Sequence, residues 1–201
     1  MKKWLLPALA VCVAAAVGIS YLGPHKAGDL RAYGVKSWSH YTSAQGFRID
    51  YPTGWKVQPY DAEAGRGELF SHPPKVDAFI IAVRSHVDRD ILEALARRCG
   101  SELSAFDQCQ AATIGKDYFG YESGLAADDV ISGQPAKVAL FNYADPKNRK
   151  VQGYRITMLD KQGRQFCITV AIIGGDLAAV DTLKDKVAQS FKVTGAPETK
   201  R

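Results

Sequence analysis

The run Gly46-Phe-Arg-Ile-Asp-Tyr-Pro-Thr-Gly-Trp-Lys-Val57 restricts what this chain can fold into more than any other part of it. Phe47, Ile49 and Tyr51 alternate with Arg48 and Asp50, the period of a strand with one buried face. Pro52-Thr-Gly54 cannot continue that strand, and Trp55 and Val57 resume the alternation beyond it. The run therefore reads as a hairpin: a strand, a turn and a second strand. Phe47, Ile49 and Trp55 are expected in the core.

The remaining elements follow in an orderly series. Gly67 to Ser71 and Asp77 to Ser85 read as strands, and Asp88 can cap the helix that follows. In that helix Leu92, Leu95, Cys99, Leu103 and Phe106 step by three or four residues, with Gly100 interrupting or ending it. Gln110 to Gly115, Tyr118 to Asp128 and Ala136 to Ala144 read as further strands, the last two joined around Ser132-Gly-Gln-Pro135. Gln152 to Leu159 and Gln165 to Ile173 form a hairpin across Asp160-Lys-Gln-Gly163. Leu177, Val180, Leu183, Val187 and Phe191 then make an apolar stripe on a second helix, which places Phe191 in the core.

This order, together with the Gly46–Val57 phrase, the Gly133-Gln-Pro-Ala136 turn and the Ser190-Phe191 ending, resembles the PsbP-like superfamily, which takes in the DcrB-type bacterial envelope proteins. The resemblance covers about residues 40 to 195. It implies an α+β domain with a central antiparallel β-sheet and helices packed on its faces. The superfamily is mostly non-catalytic, and no catalytic residue is implied for this chain.

Ahead of the domain, Met1-Lys2-Lys3 is followed by a charge-free run from Trp4 to Leu22. As a helix that run would reach ~28 Å, enough to cross a hydrocarbon core as a single-pass anchor. Ala14-Ala-Ala16 after a short apolar stretch equally fits a cleaved signal peptide. Both outcomes stay open for residues 1–23, and Cys12 reads as a passenger. Either outcome places residues 46–195 outside the cytoplasm, on the periplasmic or outer face of the membrane. Residues 24–45 read as a linker, with packing of Tyr33, Trp38 and Tyr41 on the domain as the alternative, and residues 196–201 as a polar, disordered tail.

The formal charge of +5 includes Lys2 and Lys3 of the leader, and the remaining basic residues are scattered singly. That distribution argues against nucleic acid as a partner. The nearest thing to a cluster, Lys147-Asn-Arg-Lys150, sits in a hairpin loop.

Motifs that carry chemistry are scarce. His72 and His86 are the two histidines of the domain proper; His25 and His40 precede it. Neither they nor the cysteines are spaced for zinc, so no metal and no cofactor is expected. Gly120-Tyr-Glu-Ser-Gly124 places Ser123 one position late for a nucleophile elbow. Asp128-Asp129 reads as a solvated turn, and Tyr118, Tyr121, Tyr143 and Tyr154 as sheet tyrosines that could line a ligand face. Cys99 and Cys109 form a disulfide if Gly100 lets the chain reverse between them; on an unbroken helix they would be too far apart. Cys167 reads as a buried thiol.

These readings converge on an exported accessory domain, tethered if its leader is uncleaved, which binds a protein partner in the cell envelope and has no enzymatic turnover. A hydrolase or a small-ligand carrier with a site assembled from remote residues is the alternative.

Overall fold

A computed structural model of the protein describes residues 27–62, 65–71, 79–86 and 89–195. The leader, the tail 196–201, His72 and Asp88 lie outside the described residues. Among those described, no helix is long and apolar enough to cross a membrane.

The domain is α+β, with two antiparallel sheets and three helices. After a 3-10 turn at Leu30–Tyr33, the strands are β1 (Trp38–Ser43), β2 (Phe47–Pro52), β3 (Lys56–Ala62), β4 (Gly65–Ser71) and β5 (Phe79–His86). Helices α1 (Arg89–Cys99) and α2 (Leu103–Asp117) come next. Strands β6 (Glu122–Ser123), β7 (Ala127–Ile131), β8 (Gln134–Ala144), β9 (Lys150–Leu159) and β10 (Gln165–Ile173) follow, then α3 (Leu177–Ser190) and β11 (Lys192–Val193). A small sheet has the order β1-β2-β11. The large one runs β3-β4-β5-β10-β9-β8, with β6 and β7 sharing the outer edge of β8.

Strand β10 sits at the middle of the large sheet, and its alternation separates the two sides. Phe166, Ile168, Val170 and Ile172 enter the main core, where α3 and the small sheet cover them; Phe47 stacks on Phe191 with ring centroids 5.6 Å apart. Cys167, Thr169 and Ala171 point to the opposite face, which α2 covers where it packs on β8 and β9. Phe47, Ile49, Trp55 and Phe191 are all buried.

Several expectations are corrected. Phe47–Pro52 and the strand after Trp55 are not a hairpin: β2 pairs with β1 and β11, while β3 pairs with β4 in the other sheet. Pro52-Thr-Gly54 carries the chain from one sheet to the other, and Trp55 lies just ahead of β3, plugging the core between them. Residues 38–43, inside the expected linker, form β1, and Tyr33, Trp38 and Tyr41 pack against the core.

Gln110 to Gly115 is helix, not strand. The buried positions of α2, Phe106, Asp107, Gln110 and Ile114, follow a helical period, but two of them are polar, so hydrophobicity alone conceals it. Between Tyr118 and Asp128 only Glu122–Ser123 and the start of β7 are strand, because Phe119-Gly120 turns the chain.

The long stripe from Leu92 to Phe106 is two helices. Gly100, at φ +85°, ends α1 in the left-handed conformation, its N–H closing on the Ala96 carbonyl at 2.9 Å. The reversal brings Cys99 and Cys109 to a Cα separation of 5.5 Å, where they are disulfide-bonded. Cys167 is a buried free thiol.

The turns are built by short-range chemistry. Ser132 and Gly133 both have positive φ and join β7 to β8 as a two-residue hairpin turn. The next two hairpins share one lock: Asp145 accepts from the backbone and the Nε of Arg149, and Asp160 accepts in the same way from Arg164.

Candidate functional site

The face of the large sheet beneath α2 is polar along one flank. On β9, Tyr154, Ile156 and Met158 serve the main core, which sends Arg155 and Thr157 to the opposite side. There α2 presents Asp107. Arg155 donates from Nε to Asp107 Oδ1 at 3.1 Å and from a terminal nitrogen to Oδ2 at 3.0 Å. Thr157 donates to Oδ1 at 2.8 Å. The other terminal nitrogen of Arg155 donates to the Tyr121 hydroxyl at 2.6 Å and to Ser123 Oγ at 3.2 Å. Burial opposes the Arg155 charge, but the Asp107 hydrogen bonds and the surrounding groups outweigh it and hold the guanidinium above its usual pKa.

Ser123 is thus bound to an arginine, not to a base. His86 is buried elsewhere, at the end of β5 opposite Gln165, and neither ring nitrogen has a hydrogen-bond partner among the described residues. Burial, then the charge of Arg84, lowers its pKa, so it stands as a neutral imidazole. Asp128 and Asp129 are exposed on β7, with Asp128 paired to Lys137 at 2.7 Å. No group of three metal-ligating side chains occurs among the described residues.

Beside the Arg155 cluster a cleft of about 200 Å³ opens between the C-terminal half of α2 and the sheet. Its floor is small because Ala82, Thr169 and Ala171 occupy adjacent positions on β5 and β10. The walls are aromatic: Tyr118 lies against Tyr143 with centroids 4.3 Å apart, and Tyr121 stacks on Phe141 at 5.8 Å. Burial, reinforced by Tyr118 and Asp145, pushes the Tyr143 hydroxyl up to about 12; burial also raises Tyr121, so both are protonated donors at neutral pH. Arg84 lies at the end of the cleft where β5 passes Cys167.

Three of the four tyrosines expected to line a face, Tyr118, Tyr121 and Tyr143, meet at this cleft. Tyr154 is on the other side, under the ammonium of Lys184 at 4.8 Å. Trp38 and Tyr41 are half-buried: Lys186 lies over the Trp38 ring, and the Tyr41 hydroxyl faces Glu68 at 3.5 Å.

The three most exposed large apolar side chains among the described residues lie along the outer edge of β8. Phe119 is 86% exposed, Leu125 fully so and Val130 69%. Phe119 sits opposite Ala144, and Leu125 follows Gly124, whose N–H bonds the Leu140 carbonyl at 2.8 Å. Val130 pairs with Pro135. The three side chains are therefore strung along roughly 30 Å of sheet edge.

No protein-family model and no curated protein matches the sequence. Solved structures do match in shape. The solution structure of cyanobacterial PsbP from Synechocystis sp. superposes with a TM-score of 0.50 at 19% identity, covering 86% of this chain and 98% of that one. The chain has the PsbP-like fold. A mutant of the protein Mog1 superposes equally well on this PsbP-like domain, at TM-score 0.50 and 11% identity, covering 79% of this chain and 97% of that one. A looser likeness is to LpqN, involved in cell envelope biogenesis of Mycobacterium tuberculosis, at TM-score 0.46 and 13% identity over 86% and 100% of the two chains.

Proposed function

We propose that the chain is an exported, non-catalytic accessory domain that binds a protein partner of the cell envelope through the outer edge of β8. The observation that carries this reading is the row of Phe119, Leu125 and Val130, large apolar side chains exposed to water along the outer edge of β8. Exposed apolar groups aligned on one edge fit a surface that another protein covers. The edge strand β6 has two residues, and the chain loops out between β6 and β7 to present Leu125. An edge broken into strands of two and five residues favours side-chain docking over strand addition.

The Cys99–Cys109 bridge fits an oxidising compartment, as does the charge-free run from Trp4 to Leu22. Retained as a tether, that run would concentrate the domain near a membrane partner, so modest affinity would suffice. Arg155, Tyr121 and Ser123 satisfy one another around Asp107, which fits a structural part for the serine.

A photo-crosslinking residue at Leu125 in growing cells tests the reading. A discrete adduct with one envelope protein is expected, absent when Phe119 or Val130 is changed to Asp. His72→Ala, His86→Ala and Ser123→Ala should leave both adduct and cellular phenotype intact. If those three abolish the phenotype while fold and adduct survive, the domain is an enzyme.

A further inference from the structure

We infer that the tyrosine-lined cleft under α2 is a binding site for a small aromatic carboxylate, separate from the protein-docking edge. Its volume sets the size. A cavity of ~150 Å³ in a protein interior accepts benzene, whereas drug-sized ligands need ~300 Å³ or more. At about 200 Å³ this cleft takes one aromatic ring with a short substituent.

Its walls set the chemistry. Tyr118, Tyr121, Phe141 and Tyr143 offer ring faces and edges to a flat guest, and Ala82, Thr169 and Ala171 leave the floor clear. A packed interior ordinarily fills such space with side chains, and here three adjacent positions carry small ones. The charge is placed at one end. Arg84 lines the cleft together with Thr169, and among the described residues that line it Arg84 is the only one that carries a full charge. A guanidinium has five donors in a fixed fork, so it can meet a carboxylate while keeping a neighbour within the protein. The effect of its charge on His86 and on Cys167 places the positive potential at this end of the sheet. A neutral or cationic guest would gain nothing there; an anion would.

The site differs from the docking edge in position, residues and guest, and its failure is separable from that of the protein-binding reading. The test is equilibrium dialysis of the full chain against phenylacetate, with benzyl alcohol as the uncharged comparison. Saturable binding of one phenylacetate per chain is expected. Ala82→Leu, which fills the floor, should weaken it at least tenfold; Thr169→Leu does the same from the neighbouring strand and serves if the first variant fails to unfold cooperatively. Arg84→Gln should weaken phenylacetate at least tenfold and leave benzyl alcohol within twofold. Leu125→Asp should change neither. Absence of saturable binding, or binding indifferent to both filling variants, overturns the site. Equal losses for acid and alcohol in Arg84→Gln overturn the carboxylate assignment. A cleft that instead receives an aromatic side chain of the partner would bind no free phenylacetate, and Ala82→Leu would then remove the Leu125 crosslink.

Discussion

Replacing Asp107 by Asn removes the one carboxylate that, among the described residues, pairs with Arg155. Arg155 is 1% exposed and its two Asp107 hydrogen bonds are its charged partners; Tyr121 and Ser123 are neutral. Breaking a buried ion pair from one side costs ~3–5 kcal/mol, because the remaining charge stays desolvated. With a urea dependence of ~2 kcal/mol/M for a domain of this size, the midpoint of unfolding should fall by about 1.5–2.5 M. Urea titration followed by tryptophan fluorescence measures it, since Trp55 is buried in the core that must open. The double variant Asp107→Leu with Arg155→Met separates charge from packing. Neither charge is then left behind and Tyr121 and Ser123 can bond each other, but the buried Thr157 hydroxyl loses its acceptor at ~1–3 kcal/mol, so the double variant should recover part of the loss and be more stable than Asp107→Asn. If Asp107→Asn costs less than ~1 kcal/mol, or the double variant is no better than the single, the pair is not buried as described and the polar seam under α2 is solvated.

Two further outcomes are expected. The denatured but unreduced domain should show Cys167 as its one titratable thiol, and Cys99→Ser with Cys109→Ser should cost ~3 kcal/mol, as expected for a loop whose ends are 10 residues apart; three free thiols would refute the bridge. Glu68, buried with Ser43 and Tyr41 donating to one carboxylate oxygen, has its pKa raised above 4.5 by burial, which the two hydrogen bonds only partly offset. The folded state therefore holds this proton more tightly than the unfolded chain, so stability should fall as pH rises from about 4.5 through the raised folded value. Glu68→Gln should flatten that part of the urea-midpoint profile, and an unchanged slope would exclude Glu68 as its source.

The parts of the fold legible in the sequence are those governed by neighbours along the chain. Period-two alternation marked β2, the loop at 160–163 marked the hairpin of β9 and β10, and the stripe from Leu177 to Val187 marked α3. Gly133 and the Asp-to-Arg loops at 145–149 and 160–164 announce their turns because a positive φ or a side-chain lock is a local demand. Helix α2 was hidden because Asp107 and Gln110 occupy its buried face, and polar residues there read as solvent-facing. Arg155 and Thr157 were hidden for the same reason, since alternate polar positions on β9 look like the wet side of a sheet until a helix covers them.

What the sequence by itself determined is strands β2 to β5 and β8 to β10, helix α3, their order and the core side chains Phe47, Ile49, Trp55 and Phe191, because hydrophobic period and turn chemistry act over a few residues. The tertiary structure alone decided that Pro52-Thr-Gly54 crosses between sheets, that Gly100 brings Cys99 to Cys109, and that three tyrosines and Arg84 surround one cleft. Each of these depends on which elements become neighbours in space. That choice is made by the packing free energy of the whole domain and leaves no periodic trace in any one segment.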